Sequence, residues 1–192
     1  MNSKNPFTSV QMNRVKRNKF DLSHEKKMSM KMGFLYPMVH FDVVPGDSFK
    51  INSEVLLRVA PMLAPVMHRI NVYTHFFFVP NRLVWTEWED FITGGEDGNA
   101  EPVFPTITIN DSNKDFIGKG TLSDYFGVPT PDAGNITVPV PMSALPYRAY
   151  QLIYNEYYRD QNLITKVDID KGSGDNDGNG PTLERLMELS ER

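Results

Sequence analysis

The 192-residue chain has no cysteine and only four histidines. The missing thiols exclude disulfides and thiolate metal sites. His24, His40, His68 and His75 stand at no metal-ligand spacing, and His24-Glu25 meets Met28 where a zinc-binding helix needs its second histidine. No apolar run reaches membrane-spanning length, and the polar, basic first thirty residues lack a signal-peptide core. There is no nucleophile elbow, phosphate loop or dinucleotide fingerprint. The carboxylates Glu87, Glu89, Asp90, Asp97 and Glu101 fall on an expected helix surface and a loop, where solvated charges usually sit. No catalytic set is in view, so the sequence predicts a chain that is not an enzyme and needs no cofactor.

Charge is plentiful but uneven. Residues 1–31 carry eight lysines and arginines against Asp21 and Glu25, a net of +6 in a chain whose total is -4. The body beyond is therefore acidic, at -10. A basic arm (1–33) ahead of an acidic body suits contact with nucleic-acid phosphates, and Arg14, Lys16, Arg17 and Lys19 are the candidates. A solvated tail is the plainer alternative. Met28, Met30 and Met32 alternate with polar residues as a short strand or greasy anchor.

Period-two alternation is the main secondary-structure signal. Residues 40–44 read as a strand stopped by Pro45-Gly46-Asp47. Phe49, Ile51, Val55, Leu57 and Val59 share one face of a second strand. A third runs from Ile70 to Val79: Ile70, Val72, Thr74, Phe76 and Phe78 point one way, Asn71, Tyr73, His75, Phe77 and Val79 the other. Both faces turn greasy, which predicts a strand covered on two sides.

Helical spacing follows the strands. A helix is expected from Asn81, as its cap, with Trp85, Trp88 and Ile92 on one stripe and Gly94-Gly95 ending it. Residues 96–142 read as a long Pro/Gly/Asp/Asn excursion with strand-like pieces at 103–104, 106–109 and 136–138. Ser143 is expected to cap a helix from Ala144 to about Asn162. Leu145, Ala149, Leu152 and Ile153 line one side of it, Tyr150, Tyr154, Tyr157 and Tyr158 another. Residues 165–181 read as a flexible linker, and a last helix from Thr182 runs uncapped into Arg192, as in a fragment. Asp175, Asp177 and Asn179 copy the start of a calcium loop, but Leu186 stands where the bidentate glutamate belongs, so a linker is the better reading and no metal is expected.

Several blocks, in order, resemble one family. They are Phe20-Asp21-Leu22-Ser23-His24, Pro45-Gly46-Asp47-Ser48-Phe49, the stretch Ala64 to Gly95, and Ala144-Leu145-Pro146-Tyr147-Arg148-Ala149-Tyr150 continuing to Asn162. Together they resemble the major capsid proteins of the Microviridae, the small icosahedral single-stranded-DNA phages, and above all the gokushovirus branch. The resemblance implies a mainly β fold: a single jelly-roll capsid β-sandwich with helices inserted in long loops. Residues 34–192 would be its incomplete N-terminal part.

It also implies a structural subunit that forms pentamers and a T=1 shell around circular single-stranded DNA. Scaffolding and minor virion proteins would be its other partners, with no membrane. It would be assembled in the host cytoplasm and located in the virion. Trp85, Trp88, Phe91, Tyr150, Tyr154 and Tyr157 are then candidate subunit contacts, with a core role as the alternative. The rival readings are a carbohydrate-binding β-sandwich, since jelly rolls also serve as lectins, and an enzyme whose site is completed outside this stretch.

Overall fold

The computed structural model describes residues 16–109, 118–129 and 140–175. The expected helix from Thr182 and the strand-like piece at 136–138 lie outside them. Residues 38–79 carry no regular secondary structure and, apart from Thr74 and Val79, are exposed. Only the turn expected at Pro45-Gly46-Asp47 closes, with Asp47 N donating to Val44 O at 3.0 Å and Gly46 at φ 91°. The three strands predicted over 40–44, 49–59 and 70–79 are therefore not built among the described residues. The physical reason is that alternation makes an apolar face but cannot supply a ladder partner.

Regular structure begins at Asn81. Helix α1 (Asn81–Val84) starts behind Pro80, which occupies the cap position without a side-chain bond, so Asn81 is not the predicted cap. The chain breaks at Trp85 and restarts as α2 (Trp88–Thr93). Gly94 ends α2 in the left-handed region at φ 82°, as its sequence promised. A Cβ there would meet the Gly98 backbone at 3.0 Å, because Ala100 N closes the loop back onto Gly94 O at 2.7 Å.

Strand β1 (Thr106–Ile109) pairs antiparallel with β2 (Val140–Ser143), from Thr106 opposite Ser143 to Ile109 opposite Val140. Pro141 is tolerated in β2 because that strand has no other described neighbour to donate to. Between them lies α3 (Leu122–Tyr125), which the sequence reading missed. Thr121 Oγ1 accepts from Asp124 N at 3.5 Å and Asp124 Oδ2 accepts from Gly120 N at 2.8 Å, a reciprocal cap. A mainly β composition is thus not what the described residues show: one small open sheet stands among four helices.

Helix α4 (Leu145–Ile153) follows β2 directly, with Ala144 at its cap position, while Ser143 Oγ accepts from Leu145 N at 3.3 Å. It widens into a π-helical turn, Tyr154–Tyr158, where Arg159 N reaches Tyr154 O at 2.8 Å. The helix thus ends short of the expected Asn162. Ile107, Leu122, Ala144 and Tyr147 form the buried cluster, with Phe126, Met142 and Tyr150 against it. Three of these seven come from residues 96–129, so the long excursion contributes to the core.

Candidate functional site

The buried face of α4 is not the aliphatic stripe expected from its sequence. Ala144, Tyr147, Arg148, Gln151, Tyr154 and Asn155 are the buried set, at spacings of three and four, while Leu145, Ala149, Leu152 and Ile153 are half-buried. Three of the buried side chains are polar, and two of them have clear work. Arg148 donates from Nη1 to Val84 O at 3.2 Å and from Nη2 to Gly172 O at 2.9 Å. Asn155 Nδ2 donates to Val167 O at 2.7 Å while its Oδ1 accepts from Val167 N at 2.9 Å, closing both backbone groups of one residue. Burial lowers the proton affinity of Arg148, and the charge of Asp170 opposes that shift. Its Nε has no protein partner among the described residues.

These two side chains hold the returning chain 165–175, for which composition predicted a flexible linker. Further bonds lock it. Thr86 N and Oγ1 both donate to Lys171 O, at 3.2 and 3.1 Å. Trp85 Nε1 donates to Ser173 Oγ at 2.7 Å, and that hydroxyl donates on to Glu87 Oε2. Thr106 N donates to Gly174 O at 3.0 Å, and Gly174 N to Val103 O at 3.1 Å. Sequence reasoning missed Arg148, Asn155 and Ser173. The available signal was the polar i, i+3, i+7 series 148, 151, 155 on an otherwise greasy helix.

The aromatic candidates divide by location. Trp85 is fully buried beneath Trp88, Phe91 and Phe104, with ring centroids at 5.8, 5.0 and 5.5 Å. At about 25 cal/mol per Å², burying roughly 200 Å² of indole is worth on the order of 5 kcal/mol. Trp85 therefore has no surface left for a neighbouring molecule, and the same holds for Tyr154. Trp88 is half-buried and Phe91 is 44% exposed, so these two retain free area. Tyr157 is exposed too, beside His75 and Phe77 at 5.7 and 5.0 Å. Next to it, His75 Nδ1 shares a 2.6 Å hydrogen bond with the Tyr158 hydroxyl.

Tyrosine hydroxyls also anchor the start of the chain. Tyr150 Oη donates to Leu35 O at 3.0 Å and Tyr125 Oη to Ser29 O at 2.7 Å. Tyr36 packs on Tyr125 at 4.6 Å, and Lys26 Nζ donates to the Tyr125 carbonyl. Burial raises the pKa of Tyr150, with the neighbouring Tyr154, Tyr158 and Tyr36 adding to it. Tyr125 shifts the same way, chiefly by burial. Burial lowers that of Lys26. The arm is thus bolted down from Lys26 onward. Ahead of that point Lys16, Arg17 and Lys19 are exposed, and Arg14 lies outside the described residues.

The calcium-like loop is only partly described. Thr106 Oγ1 donates to Asp175 Oδ1 at 3.3 Å, while Asp177 and Asn179 lie outside the described residues. Among the described residues no three acids or histidines gather as a metal site, and no helix is long and apolar enough to cross a membrane. The site is therefore one of surfaces: an aromatic ledge on α2, a tyrosine-bolted arm and an uncovered apolar stretch.

Comparison with known proteins assigns the chain. A family model described as "Capsid protein (F protein)" matches residues 8–191. The chain is 40% identical over 182 residues to "Capsid protein VP1" of Chlamydia phage 1, which covers 90% of this chain and 29% of that protein. It is 37% identical over 171 residues to "Capsid protein VP1" of Bdellovibrio phage phiMH2K, covering 88% and 30%. The "Capsid protein VP1" of Spiroplasma virus 4 is 32% identical over 176 residues, covering 90% and 30%. The chain spans less than a third of the length of these curated relatives. With a family match across nearly all its residues, it belongs to the phage capsid (F protein) family of the Microviridae.

Proposed function

We propose that this chain serves as part of a coat subunit whose work is self-assembly. The subunit is a single jelly roll with helices in its loops, closing through pentamers into a T=1 shell around circular single-stranded DNA. The single observation that carries this reading, beside family membership, is the uncovered apolar stretch 38–79. Phe76 and Phe78 are 58% and 74% exposed although both sit on a period-two face. A run of backbone without ladder pairing among the described residues, and of exposed aromatics on this scale, is a surface awaiting sheet partners. In a jelly roll of roughly eight strands those partners come from elsewhere in the sandwich.

The arm fits the inner side of such a shell. Lys16, Arg17 and Lys19 would bind phosphates with little regard to sequence, and the contact would weaken as salt rises. Scaffolding and minor virion proteins would complete assembly in the host cytoplasm. The reading needs no catalysis, metal or cofactor.

The test is expression of the whole capsid gene followed by sedimentation and electron microscopy. Pentamers or closed particles carrying nuclease-protected DNA are expected. A product that stays a lone monomer in every buffer, or one that binds glycans as a small soluble module, overturns the proposal.

A further inference from the structure

The α2 ledge has a definite chemistry that the core does not use up. Trp88, Phe91 and Ile92 fall on one side of α2 at i, i+3 and i+4, and Phe104 lies 6.0 Å from Phe91 beneath them. Ile92 is 61% exposed. No lysine or arginine occurs between Arg82 and Lys114, whereas Glu87, Glu89, Asp90, Glu96, Asp97 and Glu101 all fall in that stretch. All six are exposed. An apolar, π-rich floor whose surround is acidic in sequence, with Lys171 held beside it at Thr86, selects a ligand that carries both cations and an apolar side chain.

This chain contains one such ligand. Residues 16–22 read Lys-Arg-Asn-Lys-Phe-Asp-Leu, with every residue exposed and Phe20 at 78%. The bolt at Lys26–Leu35 fixes the arm's far end on α3 and α4 of its own chain, so residues 16–22 project from a held base. Their described contacts are purely local, such as the Asp21 carboxylate accepting from Ser23 N at 3.0 Å. Among the described residues nothing covers the ledge or the arm tip, and the two are complementary in charge and in polarity.

We propose that the arm tip, residues 16–22, docks on the α2 ledge of a second copy of this chain. Phe20 lies against Phe91 and Trp88, and Lys16, Arg17 and Lys19 face the acidic surround. This goes beyond the shell reading, because it gives the arm a protein partner and makes nucleic acid a competitor for the same cations. Exchange of arms between copies would fasten neighbours together before the genome arrives.

Residues 1–192 hold no cysteine, so cross-linking is a clean test once any cysteine elsewhere in the whole capsid protein is replaced by serine. Copies of the whole capsid protein bearing Lys19→Cys are mixed with copies bearing Glu89→Cys under mild oxidation. The mixed disulfide dimer is expected to exceed either self-dimer, and to exceed a Lys50→Cys plus Glu89→Cys control by roughly tenfold, the scale of a few steered charge pairs. The excess should shrink with added salt and with the fold-sparing set Asp90→Asn, Glu96→Gln, Asp97→Asn. Equal yields for all pairings overturn the proposal. So does a Lys19→Cys, Glu89→Cys double variant that closes only within one chain at high dilution.

Discussion

The described residues of 80–175 close much of their own hydrogen bonding, whereas residues 49–79 do not. The second stretch is the richer in apolar residues, 19 of 31 against 36 of 96, so apolar content by itself does not close a chain. In the first, short helices end in glycine or lean on side chains, and Arg148 and Asn155 reach out to satisfy strand-like backbone at Gly172 and Val167. In the second, the alternating runs 49–59 and 70–79 flank a proline-punctuated turn, and every residue but Thr74 and Val79 is exposed. Helical bonds are made within a segment, while ladder bonds need another segment. The comparison teaches that this stretch of chain contains its fasteners but not its sheets.

The largest expected effect comes from charging the uncovered face. Phe76→Asp in the whole capsid protein should abolish particle formation, because an unpaired carboxylate buried under a sheet costs at least about 3 kcal/mol. In the chain of residues 1–192 alone the same change should act the opposite way. It should reduce aggregation, since the exposed apolar faces are what associate. Electron microscopy of the first and light scattering of the second check the pair. Unchanged particles from Phe76→Asp would mean that the face is never covered, and the contrast between the two regions would collapse.

Next in size is Arg148→Met, which keeps volume and removes the donors to Val84 O and Gly172 O. Hydrogen bonds from a charged donor are worth about 1.5–3 kcal/mol each, so a loss of about 3 kcal/mol is expected. It should be seen as faster amide exchange at Thr86 and Gly174, the amides of the returning chain's own seam. Exchange that stays slow there would show that the seam holds without its clip.

How much of this was legible follows from the same distinction. The family was readable from ordered blocks, and the Gly94 stop and the Pro45-Gly46-Asp47 turn from single residues with forced geometry. β1 was readable over Thr106 to Ile109. What could not be read was anything set by distant partners. Arg148 is buried on α4 because it reaches backbone carbonyls of α1 and of the returning chain, Val84 O and Gly172 O. Composition made residues 165–175 look loose because glycine, aspartate and lysine give no sign that tryptophan, threonine and arginine elsewhere will bond to them. Trp85 read as either a core or a contact residue for the same reason: only the fold shows that its indole is spent on Ser173 and three neighbouring rings.

A smaller effect is expected at the arm's bolt. Tyr150→Phe removes the bond to Leu35 O and should loosen residues 26–36 by about 1 kcal/mol. Trypsin would then cut at Lys26, Lys27 and Lys31 faster, with cleavage at Lys16 to Lys19 already fast and unaltered. High pH should mimic the change. The folded pKa of Tyr150 is raised, so its contribution is whole below the ordinary tyrosine value and is lost as pH climbs toward the folded one. An arm that releases at neutral pH with Tyr150 intact would place the bolt elsewhere.

The smallest effect tests whether surface charge fastens the returning chain as its buried donors do. Glu156 accepts from Lys166 Nζ at 2.7 Å, with both side chains more than half exposed. That bond, and then the lysine's charge, holds the Glu156 pKa below the ordinary glutamate value. A depressed carboxylate stabilises above the unfolded value and loses its contribution as pH falls through the folded one, so any loosening should appear only in acid. Exposed pairs are solvated and salt-screened, and Glu156→Gln should therefore leave amide exchange at Val167 nearly unchanged at neutral pH. The same amide stays bonded to Asn155 Oδ1, which is buried and does not titrate. If Glu156→Gln freed Val167 as fully as Arg148→Met frees Gly174, the fasteners of this half would be electrostatic. Its difference from the uncovered half would then be one of charge, with burial no longer the cause.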